Sequence, residues 1–167
     1  MGRALVTVGL VVATVAAAAA LPAAAGVRAP SCTAGMHAVG GVNARTFCGP
    51  ASATVTVGGV TYRFKGGECE KGAQYLSLDI GTVVLGQTTK PRPDYVGLNV
   101  GKLPLVGGTP AAHDGTFPAE ALAIEHAGKS YTMVQATVTL SGGRTRGSFK
   151  GKLLTGNGTA SGTFRCS

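Results

Sequence analysis

Three histidines, seven carboxylates and four cysteines carry most of the reactive chemistry open to this chain. Two of the histidines have an acidic neighbour, in His113-Asp114 and Glu125-His126. On an extended strand adjacent side chains project to opposite faces, so Glu125 and His126 cannot form a dyad or share one metal. Met36-His37 sets two possible copper donors side by side, but two adjacent donors do not make a site. No G-x-S-x-G elbow presents a serine nucleophile. The acids Glu68, Glu70, Asp79, Asp94, Asp114, Glu120 and Glu125 show no paired arrangement suited to glycoside hydrolysis. Gly156-x-Gly158-x-x-x-Gly162 misses both phosphate-loop spacings and lies in a hairpin rather than before a helix. These residues point to a chain with no catalytic role, no cofactor and no metal.

The other charged signal is basic. The chain carries 15 Lys and Arg against 7 Asp and Glu, a net charge of +8. The imbalance grows towards the C-terminus: Glu125 is the last acid, while Lys129, Arg144, Arg146, Lys150, Lys152 and Arg165 follow it. Strand alternation over residues 144–154 puts Arg144, Arg146, Lys150 and Lys152 on one outward face, opposite Phe149, Gly151 and Leu153. Such a face suits an anionic partner, for example a cell-envelope polymer or lipid headgroups. It equally suits a solvated surface that keeps the chain soluble and discourages edge pairing. Interleaved surface aromatics, the mark of single-strand nucleic-acid binding, are missing from it.

Many short strands must position these residues. Val134, Ala136, Val138 and Leu140 alternate with polar neighbours, and Ser141-Gly142-Gly143 and Thr155-Gly156-Asn157-Gly158 set off two further strands, the last ending at Cys166. Upstream, residues 51–57 and 60–64 flank the Gly58-Gly59 turn, and Lys65-Gly66-Gly67 is expected to break the second strand. Residues 74–80, 82–85, 95–100 and 120–126 read as strands, and 103–117 as irregular chain. With 27 glycines and no tryptophan, the composition fits tight turns around a Val, Leu, Ile and Ala core. The expected fold is all-β, an antiparallel sandwich or small barrel of about eight or nine strands.

At the N-terminus, Met1-Gly2-Arg3, the uncharged run Ala4 to Leu21, Pro22 and Ala23-Ala24-Ala25 have the layout of a secretory signal peptide over residues 1–25. Residues 26–50 are expected to form a small disulfide-closed segment and 51–167 the β-domain. No later stretch is long and apolar enough to form a transmembrane helix. In an exported chain Cys32, Cys48, Cys69 and Cys166 read as two disulfides. Four cysteines allow three pairings. Cys32–Cys48 with Cys69–Cys166 is favoured, since the first closes a short loop with little else to order it and the second joins the early sheet to its last strand. Zinc is the competing use, but no C-x-x-C spacing supports it.

Residues 54–69, TVTVGGVTYRFKGGEC, the terminal Cys166-Ser167 and the repeated Gly-Ser/Thr-Phe at 147–149 and 162–164 resemble the mycobacterial lipoprotein antigen family and related small secreted actinobacterial proteins. The resemblance implies a compact β domain with Cys69 joined to Cys166, displayed at the cell envelope and without known catalysis. The chain departs from that family in lacking a lipobox cysteine after Ala25, so lipid anchoring is not implied. The expected role is a secreted, non-catalytic β-domain associated with the envelope through its basic face. The alternative is a carrier holding a lipid or other small hydrophobic molecule in its interior. A protease inhibitor using Lys90-Pro91-Arg92-Pro93 or residues 103–118 ranks last, since proline after a basic residue hinders cleavage there.

Overall fold

The computed structural model describes Cys32–Ser167, apart from residue 106. The expected signal peptide, residues 1–25, lies outside the described residues. Ten antiparallel strands are described: β1 (Gly35–Val39), β2 (Val42–Phe47), β3 (Ala51–Val57), β4 (Val60–Lys71), β5 (Tyr75–Val84), β6 (Tyr95–Gly101), β7 (Gly115–His126), β8 (Lys129–Ser141), β9 (Arg146–Leu153) and β10 (Thr159–Arg165). From β3 to β10 each strand pairs with the next, and β10 returns to pair with β3, Ala160 opposite Val57 and Arg165 opposite Ser52. The result is a closed, eight-stranded up-and-down barrel. Of the two expected architectures, the chain adopts the barrel.

Alternation sorts the residues. Val55, Leu76, Leu78, Ile80, Val96, Leu98, Val100, Ile124, Val138 and Leu140 are fully buried, or nearly so, and Phe64, Phe117, Phe149 and Phe164 join them. Eight strands enclose a space just wide enough for side chains to fill. The aromatics fit because glycines face them. Phe149 lies opposite Gly162, where an added Cβ would come within 2.5 Å of its ring, and Phe164 lies opposite Gly147, where the gap would be 2.8 Å. Bulk and void alternate across paired strands, so each ring takes the space a side chain on the facing glycine would need.

Three local expectations are corrected. Gly66-Gly67 does not end its strand. Gly66 takes φ +84° and forms a bulge, Ala51 pairing with Gly67 and Ser52 with Lys65, and β4 bends there and runs on to Lys71. Beyond the bend it pairs with β5, where a Cβ on Gly67 would strike the Asp79 carbonyl oxygen at 2.4 Å. Second, β7 begins at Gly115, so part of the chain read as irregular is strand. Third, residues 35–47, expected as a disulfide-closed loop with little else to order it, form a hairpin, β1–β2, and β2 extends the sheet by pairing with the far half of β5. Its turn, Val39-Gly40-Gly41-Val42, repeats the Val57-Gly58-Gly59-Val60 turn of β3–β4. Both glycine pairs have nearly the same positive φ values, 59° and 80° against 57° and 82°. Positive φ at both central residues is what a two-residue hairpin of type I′ requires.

Two disulfides pin this framework, Cys32–Cys48 joining the two ends of the hairpin and Cys69–Cys166 tying β4 to the residue after β10, with Cα separations of 5.8 and 5.4 Å. Both expected pairings are present. Such bonds indicate an oxidising environment. No helix among the described residues is long and apolar enough to cross a membrane.

A candidate anionic-ligand surface

The barrel wall made by β8, β9, β10, β3 and the first half of β4 carries a regular array of outward side chains. Register aligns them in rows across the strands. One row runs Ser141, Arg146, Arg165, Ser52 and Lys65. The next runs Thr116, Thr139, Ser148, Thr163, Thr54 and Arg63, taking in the start of β7. The third runs Thr137, Lys150, Ser161, Thr56 and Thr61, and a short fourth runs Val134, Lys152 and Thr159. Neighbours within a row are about 4.8 Å apart and rows about 6.8 Å apart, the spacings of any sheet. Threonine and serine suit this surface because short β-branched or hydroxylic side chains pack well on a pleat.

Apart from the exposed Pro118, which register sets beside Thr137 at the β7 end of the third row, every outward side chain of the first three rows is a hydroxyl or a cation. None is a carboxylate. The cations are Arg63, Lys65, Arg146, Lys150 and Arg165, joined by Lys152 of the fourth row, and all six are exposed. The ion pairs among the described residues, Arg92 with Glu125 and His126 with Asp94, involve none of them. Six of the seven acids lie elsewhere: Glu68 and Glu70 on the far half of β4, Asp79 on β5, Asp94 in a loop, and Glu120 and Glu125 on β7. The seventh, Asp114, binds the turn at the head of β9, where its charge reaches Arg146.

The surface also carries three shallow, open depressions along β9. A concavity of about 350 Å³ is bounded by Arg146, Arg165, Thr139, Ser141, Ser148 and Thr163. A second of about 320 Å³ shares Thr139 and Ser148 with it and adds Thr137, Lys150 and Ser161. A third of about 370 Å³ continues past Lys150 to Lys152, Gln135 and Thr159. Shared walls join the three into one trough. At its far end β8 bulges between Val134 and Thr137, with Gln135 at φ 50°. The bulge turns Val134 outward, against the inward place that simple alternation gives it, and brings Met133 into the core.

Of the four residues expected on the basic face, Arg146, Lys150 and Lys152 stand on it and Arg144 does not. Gly142, Gly143 and Arg144 all have positive φ, so the period-two pattern cannot extend back through them, and β9 starts only at Arg146. The Arg144 guanidinium turns over the end of the barrel instead. Its Nη1 donates to the carbonyl oxygens of Gly72, Tyr75 and Ala111 at 2.9, 3.2 and 3.0 Å. Asp114 holds the same turn, accepting from the backbone N–H groups of Gly143 and Arg144 at 3.1 and 2.7 Å. Those two N–H groups hold the Asp114 carboxyl below the ordinary aspartate range. In place of Arg144, register adds Arg165, Lys65 and Arg63 to the face, a grouping that strand order alone creates.

The histidines stay apart. His113 and His126 sit at opposite ends of β7, so they do not meet across strands. His113 Nδ1 is 2.7 Å from the Asp114 carbonyl oxygen and its ring lies near Phe117. His126 Nδ1 is 3.0 Å from Asp94 Oδ2, with Tyr62 against its ring. His37 and Met36 lie on the exposed β1. No group of three or more His, Cys, Asp or Glu among the described residues is placed to hold a metal. On the acidic side, Asp79 accepts from the Tyr95 hydroxyl at 2.5 Å and the Ser77 hydroxyl at 3.0 Å. Burial, then the Asp79 hydrogen bond, pushes the Tyr95 phenol far above its usual range. Burial likewise raises Glu125 despite the 3.1 Å contact with Arg92. These groups brace the wall rather than open into a cleft.

No family model, no curated protein and no solved structure matches this chain.

Proposed function

We propose that the protein is exported and associates, without catalysis, with anionic material of the cell envelope through the wall formed by β8, β9, β10 and β3. One observation carries this reading: six cations outside any ion pair share a wall whose rows hold no carboxylate, and the nearest acid, Asp114, is held by the turn ahead of β9. Segregated charge of one sign raises the local concentration of an oppositely charged partner and speeds its capture. Export is supported by the leader-like residues 1–25 and by the disulfides. The resemblance of residues 54–69 to a family of envelope antigens supports the same placement. The densely packed interior favours a partner on the outside over a carried lipid.

The test is co-sedimentation of the secreted, disulfide-bonded protein with walls from its own host, over a range of salt. Binding is expected to weaken steadily as screening shortens the reach of the charges. Reversing Arg146, Lys150, Lys152 and Arg165 to glutamate together should lower the retained fraction at least tenfold with the thermal midpoint little changed. Retention by the reversed protein equal to that of the wild type would sink the proposal.

A further inference from the structure

We infer that the partner is a linear anionic glycan lying in the trough along β9, an inference that rests on the envelope-binding reading above and narrows it. The trough has two kinds of wall. At one end Arg146 and Arg165 are cross-strand partners, and both line the trough. Planar guanidinium forks take a carboxylate or phosphate in two parallel hydrogen bonds. At the other end Lys150 and Lys152 supply mobile point charges. Six residues of extended strand separate Arg146 from Lys152, about 20 Å.

Between the ends the wall is neutral and hydroxylic. Ser148 is flanked in register by Thr139 on β8 and Thr163 on β10, and Thr137 and Ser161 flank Lys150. The Thr139 hydroxyl lies 2.9 Å from that of Thr116, which orients it. A hydroxyl both donates and accepts, which matches the hydroxyls of a sugar ring. A chain of phosphates alone offers charge at every unit and leaves these donors without acceptors of their own kind. A bilayer presents a broad surface, but here four of the six cations line a shallow trough, and Val134 is the one large exposed apolar residue among the rows. Stacked bases would find no outward aromatic ring on these rows. A glycan bearing carboxylates or phosphates at intervals, with free hydroxyls between, satisfies both walls.

Calorimetric titration of the secreted, disulfide-bonded protein with oligogalacturonate, polyphosphate of equal charge and phosphatidylglycerol vesicles tests this. Oligogalacturonate is expected to bind at least tenfold more tightly than polyphosphate. The triple variant Thr139→Val, Ser148→Ala, Thr163→Val, which keeps every charge, should lose that advantage. In the unmutated protein, amide shifts on titration should follow Arg146 to Lys152 and their partners on β8 and β10. If the triple variant binds oligogalacturonate undiminished while Arg146→Glu with Lys150→Glu abolishes binding, the glycan inference falls and the envelope reading stands. Tighter binding to polyphosphate or vesicles has the same meaning. If the charge reversals change nothing and the amide shifts lie off the wall, both fall.

Discussion

Arg144 and Asp114 show how one side chain changes meaning with its backbone. Read as a strand residue, Arg144 belongs with the basic face. With φ at 62° it belongs to a turn, and its charge satisfies three carbonyl groups that would otherwise be left at the barrel end. Successive N–H groups in such a turn form a concave nest for an anion, and here Asp114 fills it. Because folding lowers its pKa, the carboxylate stabilises the fold above the ordinary aspartate range, and that stability is lost as pH falls through the lowered value. Glu125, with its pKa raised, acts in the opposite sense as the pH falls, so the comparison must be with a variant. Asp114→Asn is expected to lower the thermal midpoint at neutral pH, with the gap to wild type closing between about pH 5 and pH 2. A gap independent of pH would show that the carboxylate is not what holds the turn.

At the scale of elements, the barrel depends on matching large residues to absent ones. A methyl on Gly162 would lie 2.5 Å from both the Phe149 ring and the Thr54 carbonyl oxygen, and backbone on that side cannot move without opening the β3–β10 seam. Gly162→Ala should therefore cost about 1–3 kcal/mol, the usual range for overpacking. Denaturant melts would check this, and adding Phe149→Leu should recover part of the loss. The Gly-Ser-Phe and Gly-Thr-Phe repeats were visible in the sequence as strands with an inward ring. What could not be seen is that each ring covers the glycine of the other strand, since that requires the register. The same gap explains the other misses. Val39-Gly40-Gly41-Val42 was as good a hairpin signal as its twin at 57–60, and the flanking polar residues obscured it. Gly66-Gly67 has the composition of a break, but a bulge uses the same residues.

For the whole molecule, the sequence conveyed the class and both disulfides, while the functional surface needed the closed topology. Arg63 and Lys65 are some eighty residues from Arg146 and Lys150, and β10 and β3 bring them onto one wall. The Thr-Val-Thr-Val run at 54–57 and Thr-Val-Thr-Leu at 137–140 were each legible as half-buried strands. Their outward threonines became rows only when the sheet closed on itself. The outward cations of β3's neighbour β4 and of β9 and β10 meet on one wall in the same way, by the closure of the sheet.

That closure also sets an order of events. A chain leaving the ribosome or an export channel carries β3 long before β10 exists, so the seam strand and Cys69 must wait for the final residues. Cys32 and Cys48 are 16 residues apart, Cys69 and Cys166 97 apart, and short loops close sooner and at smaller entropic cost. Oxidative refolding quenched with acid and a thiol-blocking reagent should therefore trap a species bridged only at Cys32–Cys48, its open sheet exposing two unpaired edges. A first-trapped species bridged only at Cys69–Cys166 would mean that the barrel zips before its hairpin is tied. Until the last strand arrives, the growing protein is an incomplete cylinder in need of protection from its neighbours.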